Sequence, residues 1–317
     1  MRITSPPEAT RLRHGVAFYD TEVDLLAQLV PVVEAELAEG RPIALALRPT
    51  TEAALRGQPT CDLADAVALT RPDGPDGPSG QTLAARWARE LRTLTASGRE
   101  DVCVITEHWD AFDGSDGGFW TELDAAVNVA LSDLPVAMTC FYPAYPLHEA
   151  VLSGARRNHR TLLRRGRVAD NAEYLPPQEV LLASPAPAPL VLGPPDERRT
   201  FGAWALNEVR ASVTAMLLAA GFGRDRTDDV VLAVNEIATN AVEHGPGDAE
   251  VCLWSDADGF VAEVHDRGVL DNPLPGLIAP HPAEPRGRGV WIARQLCDSL
   301  HVWADAQGTH VRLRAAP

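Results

Sequence analysis

Between positions 234 and 245 the chain reads VNEIATNAVEHG. The apolar residues recur at helical spacing, so Glu236, Asn240 and Glu243, four and three apart, share one side of a helix. A carboxylate one turn from a carboxamide can take up a proton and hold a metal-bound ligand. The same spacing also suits a polar stripe facing water, and taken alone the stretch favours that plainer reading. Two glycine triplets lie further on. Asp266-Arg267-Gly268 ends a strand pattern, and Gly287-Arg288-Gly289 opens a helical one. Backbone amides at a helix start, together with the helix dipole, favour a polyphosphate. Glycine lets the main chain approach it closely.

The elements that must position these residues follow in a legible order. Helical patterns cover 205–221 and 225–245, the second with Val230, Val234, Ile237 and Ala241 as its apolar stripe. Asp225 and Thr227 are expected to cap it, and Gly245-Pro246 to stop it. Strand patterns at 249–256 and 259–266 predict a hairpin around Asp258-Gly259. A proline-rich stretch without periodicity (269–285) leads to a helix at 287–298. Strands at 300–305 and 309–315 close the chain through Gln307-Gly308. This order implies a two-layer α/β sandwich, with helices on one face of a largely antiparallel sheet.

The N-terminal half has a different rhythm. Short continuous apolar runs at 42–47, 101–106 and 135–142 read as strands buried on both faces. Helical segments at 21–40, 82–98 and 119–131 alternate with them, which predicts a layered α/β/α domain with a mainly parallel sheet. ASPAPAPLVLGPPDE (183–197) has no apolar face and reads as a semi-rigid, extended linker. The expected domains are therefore 1–183 and 197–317, with a linker at 184–196. The Gly/Pro cluster at 72–80 reads as a loop within the first domain.

Composition removes several function classes. The net charge of −16 argues against non-specific nucleic-acid binding, which needs a basic surface. No lysine occurs anywhere, so a Walker-A phosphate loop and a Schiff-base enzyme are both excluded. The first ten residues carry no signal-peptide pattern and no apolar run reaches membrane-spanning length, so the expected location is the cytoplasm. Five cysteines without a CxxC pair suit reduced, buried thiols.

NEIATNAVEHG, DRG, GRGVWIARQLCD and the Gly-Thr at 308–309 resemble the ordered boxes of the GHKL (Bergerat-fold) ATPases, most closely the RsbW/SpoIIAB anti-sigma factors that are also serine kinases. The resemblance implies ATP and Mg²⁺ as cofactors. By position it implies Glu236 as the general base, Asn240 as the Mg²⁺ holder and Asp266 as the acceptor for the adenine amino group. It further implies Gly268 as room for the base, Gly287 and Gly289 as a phosphate wrap, Arg288 or equally Arg286 as added positive charge, and Thr309 beside the adenine. It departs from many relatives in lacking a second glycine after DRG. Glu243, where histidine kinases commonly have a basic residue, points away from that branch.

HGVAFYDTEVDLLAQL, ELDAAVNVAL and ARRNHRTLLRRGRVADNAEY are similar to the MEDS sensory domain, related in fold to RecA-like ATPases. That resemblance implies a sensor for an unknown small-molecule or protein signal. Together the two resemblances imply an ATP-dependent serine/threonine kinase that phosphorylates a STAS-type anti-sigma-factor antagonist and sequesters a sigma factor. A homodimer, and no direct contact with DNA or membrane, go with this reading. The alternatives are a non-catalytic, ATP-dependent protein-binding adaptor and a histidine kinase with His148 as phosphoacceptor. Glu107 and His108 read as loop polar groups, the arginines of 156–167 as a solvated helix face, and His244 and His265 as structural or exposed.

Overall fold

The computed structural model describes residues 11–71, 79–96, 101–112, 117–164, 166–256, 259–281 and 287–317. Arg286, Asp258 of the hairpin turn and most of the 72–80 cluster therefore lie outside the described residues. The chain divides into two compact units, Met1–Pro72 with Leu83–Val180, and Asp73–Thr82 with Leu181–Pro317.

The first unit holds seven strands: β1 (Arg13–Tyr19), β2 (Ile43–Ala46), β3 (Val67–Ala68), β4 (Val102–Glu107), β5 (Val136–Pro143), β6 (Thr161–Arg164) and β7 (Arg167–Asp170). Their order is β3-β2-β4-β5-β1-β6-β7, parallel until the antiparallel β6–β7 pair at one edge. The central strands are buried along nearly their whole length, as their unbroken apolar runs require. Helices α1 (Glu22–Ala38), α2 (Pro49–Arg56), α3 (Gly80–Thr95), α4 (Gly118–Ala130), α5 (Glu149–Asn158) and α6 (Pro177–Ala183) complete the series. Thr21 caps α1 by accepting the Asp24 N–H at 3.1 Å. The arginine-rich run is not one helix face. It ends α5 and then turns into the β6–β7 hairpin, because the buried Asn158 and His159 stop the helix and carry the chain back to β1.

The second unit contains β8 (Glu197–Phe201), α7 (Leu206–Ala219), α8 (Arg224–His244), β9 (Ala249–Asp256), β10 (Gly259–Asp266), α9 (Gly289–Leu296), β11 (Ser299–Asp305) and β12 (Gly308–Ala315). Strand β8 is an addition to the expected order, an edge strand too polar and alternating to stand out from the linker before it. The sheet order is β11-β12-β10-β9-β8, antiparallel throughout. Val209, Val213 and Leu217 of α7 and Val230, Val234 and Ile237 of α8 pack against Phe260, Ala262 and Val264 of β10 in one core. The start of α8 corrects the expected cap. Gly223 occupies that position and no side chain caps the helix. Asp225 instead sits in the first turn, where its charge meets the positive helix end, and Thr227 is buried.

The proline-rich connector is held on this second unit. Proline offers no N–H but keeps its carbonyl, and donors on the sheet use such acceptors. His301 Nε2 lies 2.8 Å from Pro187 O, Arg312 donates to Leu190 O at 2.7 Å, and Trp254 donates to Gly193 O at 2.9 Å. Nearby on the same face, His310 lies 3.6 Å from Glu263 and 3.3 Å from Asp305 and stacks on Trp303. Burial alone would lower its pKa, but the two carboxylates outweigh that and raise it above the ordinary 6.5. The charged ring therefore stabilises the sheet fully below 6.5, and this contribution fades as pH rises through the raised value. In a pH series of thermal midpoints, wild type should lose its advantage over His310→Gln on the alkaline side. Parallel curves would refute the assignment.

Candidate functional site

A cavity of about 340 Å³ opens between α8, the ends of β10 and β12, the loop after β10 and the start of α9. Helix α8 supplies Ile237, Asn240, Ala241 and His244, at offsets of three, four and seven that put all four on one face. Val264, Val302 and Val311 form an apolar floor from β10, β11 and β12. Asp266, Gly268 and Thr309 stand at one end, and Gly287 and Gly289 at the other. An apolar slot with a few convergent polar groups is the form a nucleotide base and its phosphates need.

Asp266 and Thr309 face each other across the β10–β12 ladder. One Asp266 oxygen accepts the Gly268 N–H at 2.6 Å, and the Thr309 hydroxyl donates to Gly268 O at 3.1 Å. These bonds pin the loop from both sides and leave the second Asp266 oxygen to accept from a ligand amine. Gly308, at φ +141°, is obligatory, because a Cβ there would collide with the Asp266 carbonyl.

At the other end, Glu236 and Asn240 converge on Gly289, the first residue of α9. A Cβ on Gly289 would stand 2.7 Å from Glu236 Oε2 and 3.2 Å from Asn240 Nδ2. The carboxylate and amide thus lie where the positive end of α9 would meet an anion. Because Gly289 is helical with ordinary φ, alanine suits its backbone, and the atoms it would meet are ends of flexible side chains. Gly289→Ala should therefore keep or raise the thermal midpoint while displacing Glu236 and Asn240, with a loss of nucleotide affinity measurable by calorimetry. A variant that binds nucleotide like wild type would show that this contact does not shape the site.

The remaining expected residues fall as follows. Among the described residues, Arg288 does not line the cavity; its guanidinium lies 3.4 Å from the His281 carbonyl. Glu243 is exposed and outside the cavity, whereas His244, set aside in the sequence, is in its wall. Leu270, Asn272, Pro275 and Gly276 also line it; they come from the stretch without periodicity, which carries no signal of its own. His265 stacks on His310 at 4.3 Å, a structural role. In the first unit Glu107 is fully buried, accepting from Arg48 at 2.5 Å and Thr51 at 3.1 Å, which makes it a structural anchor. His148 caps α5 by accepting the Ala150 N–H at 3.2 Å.

Comparison with protein families agrees with this geometry. Residues 203–315 match the histidine kinase-like ATPase domain, and residues 13–160 match MEDS, the methanogen/methylotroph DcmR sensory domain. A search of curated proteins returned no match. Among the described residues no helix is long and apolar enough to cross a membrane. With the Asp266 pocket and the Glu236–Asn240 pair lying inside the ATPase match, the chain joins an N-terminal MEDS sensory domain to a C-terminal ATP-binding domain of the GHKL type, an arrangement for signalling.

Proposed function

We propose that the C-terminal domain is a cytoplasmic protein serine/threonine kinase of the RsbW/SpoIIAB type, controlled by the MEDS domain. It phosphorylates an anti-sigma-factor antagonist and, when that antagonist is phosphorylated, sequesters a sigma factor. The observation that carries the reading is the convergence of Glu236 and Asn240 on Gly289. It sets a carboxylate base and an amide ligand together at the helix start expected to receive the phosphates. The donor set fits Mg²⁺, a hard cation that takes oxygen ligands. Asn240 would hold it through its amide oxygen, and the ion would supply neutralisation of the triphosphate charge. Asp266 orients the adenine through its amino group, Glu236 removes the proton from the attacking hydroxyl, and the amides of the 287–289 turn receive the phosphates. Arg288 has its guanidinium against His281 and is a poorer candidate for phosphate than the backbone around it.

His148 is tied up as the cap of a helix of 10 residues, not presented on a long helical hairpin, and this disfavours the histidine-kinase reading. The test is a pull-down with the full chain and ATP·Mg²⁺ from native lysate, followed by labelling of the captured protein with γ-labelled ATP. An acid-stable phosphoserine or phosphothreonine is the expected product. Capture without any phosphoprotein would replace the kinase with a nucleotide-dependent adaptor, and an acid-labile product would replace it with a histidine kinase.

A further inference from the structure

In the first unit, far in sequence from the nucleotide pocket, four chemically reactive side chains meet in the protein interior. His14 comes from β1, Cys140 from the adjacent β5, Asp124 from α4, and His159 from the residue that ends α5. All four are buried, with His159 at 0% and the others at 3% exposure or less. One ligand atom from each lies within 4.8 Å of all the others. All four lie within the residues matched to the sensory domain, and the nucleotide chemistry of the second unit does not involve them.

The surrounding hydrogen bonds decide which atom each residue turns inward. Asn128 donates through its Nδ2 to the Asp124 and Asn158 carbonyls, so its Oδ1 is the acceptor facing His14 Nδ1 at 3.1 Å. The proton of His14 therefore sits on Nδ1, and Nε2 turns a lone pair toward Cys140 Sγ, 3.2 Å away. His159 Nδ1 faces the Ala155 carbonyl at 2.6 Å, which can only accept. Its Nε2 is likewise a lone pair, buried without a hydrogen-bond partner. Tyr142 donates to one Asp124 oxygen at 2.7 Å, and the other lies 3.9 Å from His159 Nε2. Two imidazole lone pairs, a carboxylate oxygen and a sulfur thus meet, and the two histidines and the aspartate are each fixed from behind by a partner on the far atom. The Cys140 thiol can donate to His14 Nε2, but His159 Nε2 is left without a hydrogen bond, with the nearest Asp124 oxygen 3.9 Å away.

We propose that His14 Nε2, Asp124 Oδ1, Cys140 Sγ and His159 Nε2 form a closed, four-coordinate site for a divalent transition metal of the zinc class. A tetrahedral zinc ion with bonds of about 2.0–2.3 Å holds its ligand atoms roughly 3.3–3.6 Å apart, so the cluster needs only a small contraction to close on one. Sulfur and imidazole ligands select zinc over magnesium or calcium. The rear bonds from Asn128, the Ala155 carbonyl and Tyr142 match the outer partners that orient metal-bound histidine and carboxylate. Charge also balances, because a thiolate and a carboxylate neutralise a dication in an interior that tolerates no net charge. With four protein ligands the site has no open position. The ion therefore ties β1, β5, α4 and the end of α5 together and does not activate water.

The test uses the full chain. After chelation and desalting it is loaded with Zn²⁺ or with Co²⁺ as a spectroscopic probe. We expect one metal per chain by mass spectrometry of the metal content, and a thiolate-to-cobalt charge-transfer band in the near ultraviolet. The band should persist in Cys103→Ser and vanish in Cys140→Ser. X-ray absorption on the zinc-loaded wild type needs no variant, so it remains decisive if Cys140→Ser does not fold. It should give one sulfur at about 2.3 Å and three nitrogen or oxygen ligands at about 2.0 Å. No retained metal, a shell without sulfur, or a band that survives Cys140→Ser would overturn the proposal.

Discussion

Glu236→Gln is expected to lower phosphate transfer to the proposed protein substrate by about 10²–10⁴-fold, the usual range for a removed general base, with ATP affinity unchanged. Glutamine keeps the length and shape of glutamate, so the side chain still packs beside Gly289 and the core side of α8 is undisturbed. Only the capacity to take a proton is lost. Glu236 contributes little to the cavity wall, which is formed on this helix by Ile237, Asn240, Ala241 and His244, so binding has no reason to fall. Single-turnover transfer with labelled ATP, alongside calorimetric affinity, separates the two quantities. Transfer at the wild-type rate would remove Glu236 from the chemistry. Equal losses in transfer and affinity would make it a binding residue.

Asp266→Asn should weaken ATP binding by roughly 10–100-fold while leaving the fold intact. The carboxylate oxygen that accepts the Gly268 N–H at 2.6 Å is replaced by an amide oxygen that can accept it equally. The other oxygen becomes an N–H₂ group, which on the proposed placement would face the adenine amino group, so an acceptor–donor pair turns into two opposed donors. A lost hydrogen bond to a charged group is worth about 1.5–3 kcal/mol, which converts to that range of affinity. The preference for ATP over GTP should shrink in parallel. Retained selectivity would place the purine elsewhere in the cavity.

Much of the second unit was legible before any coordinates, for a local reason. Most strands and helices there carry their own period and punctuation: Gly245-Pro246 after α8, Gly289 at the start of α9, and the apolar alternation of β9 to β12. Strand β8 escaped because an edge strand buries little and so needs no apolar signal. The expected caps of α8 fail because the helix already starts at Arg224, which puts Asp225 and Thr227 inside it and leaves Gly223, with no side chain, at the cap position. In the first unit three strands of the parallel core, β2, β4 and β5, were plain from their apolar runs, whereas the central β1 and the short β3 were not read as strands. The β6–β7 hairpin was hidden under arginines that suggested a helix.

The sequence by itself determined the candidates for the proposed nucleotide site: Glu236 and Asn240 one turn apart, Asp266-Arg267-Gly268, and the 287–289 glycines. It also excluded lysine-dependent chemistry outright. Only the tertiary structure decided that Glu236 and Asn240 meet Gly289, 53 and 49 residues further along by the numbering, and that the Arg288 side chain does not line the cavity. It alone brought His14, Asp124, Cys140 and His159 to one point. Residues on a single helix announce their shared face through a fixed period. Residues drawn from two strands, the middle of one helix and the end of another share no period, and their meeting depends on sheet order and packing, which no local pattern encodes.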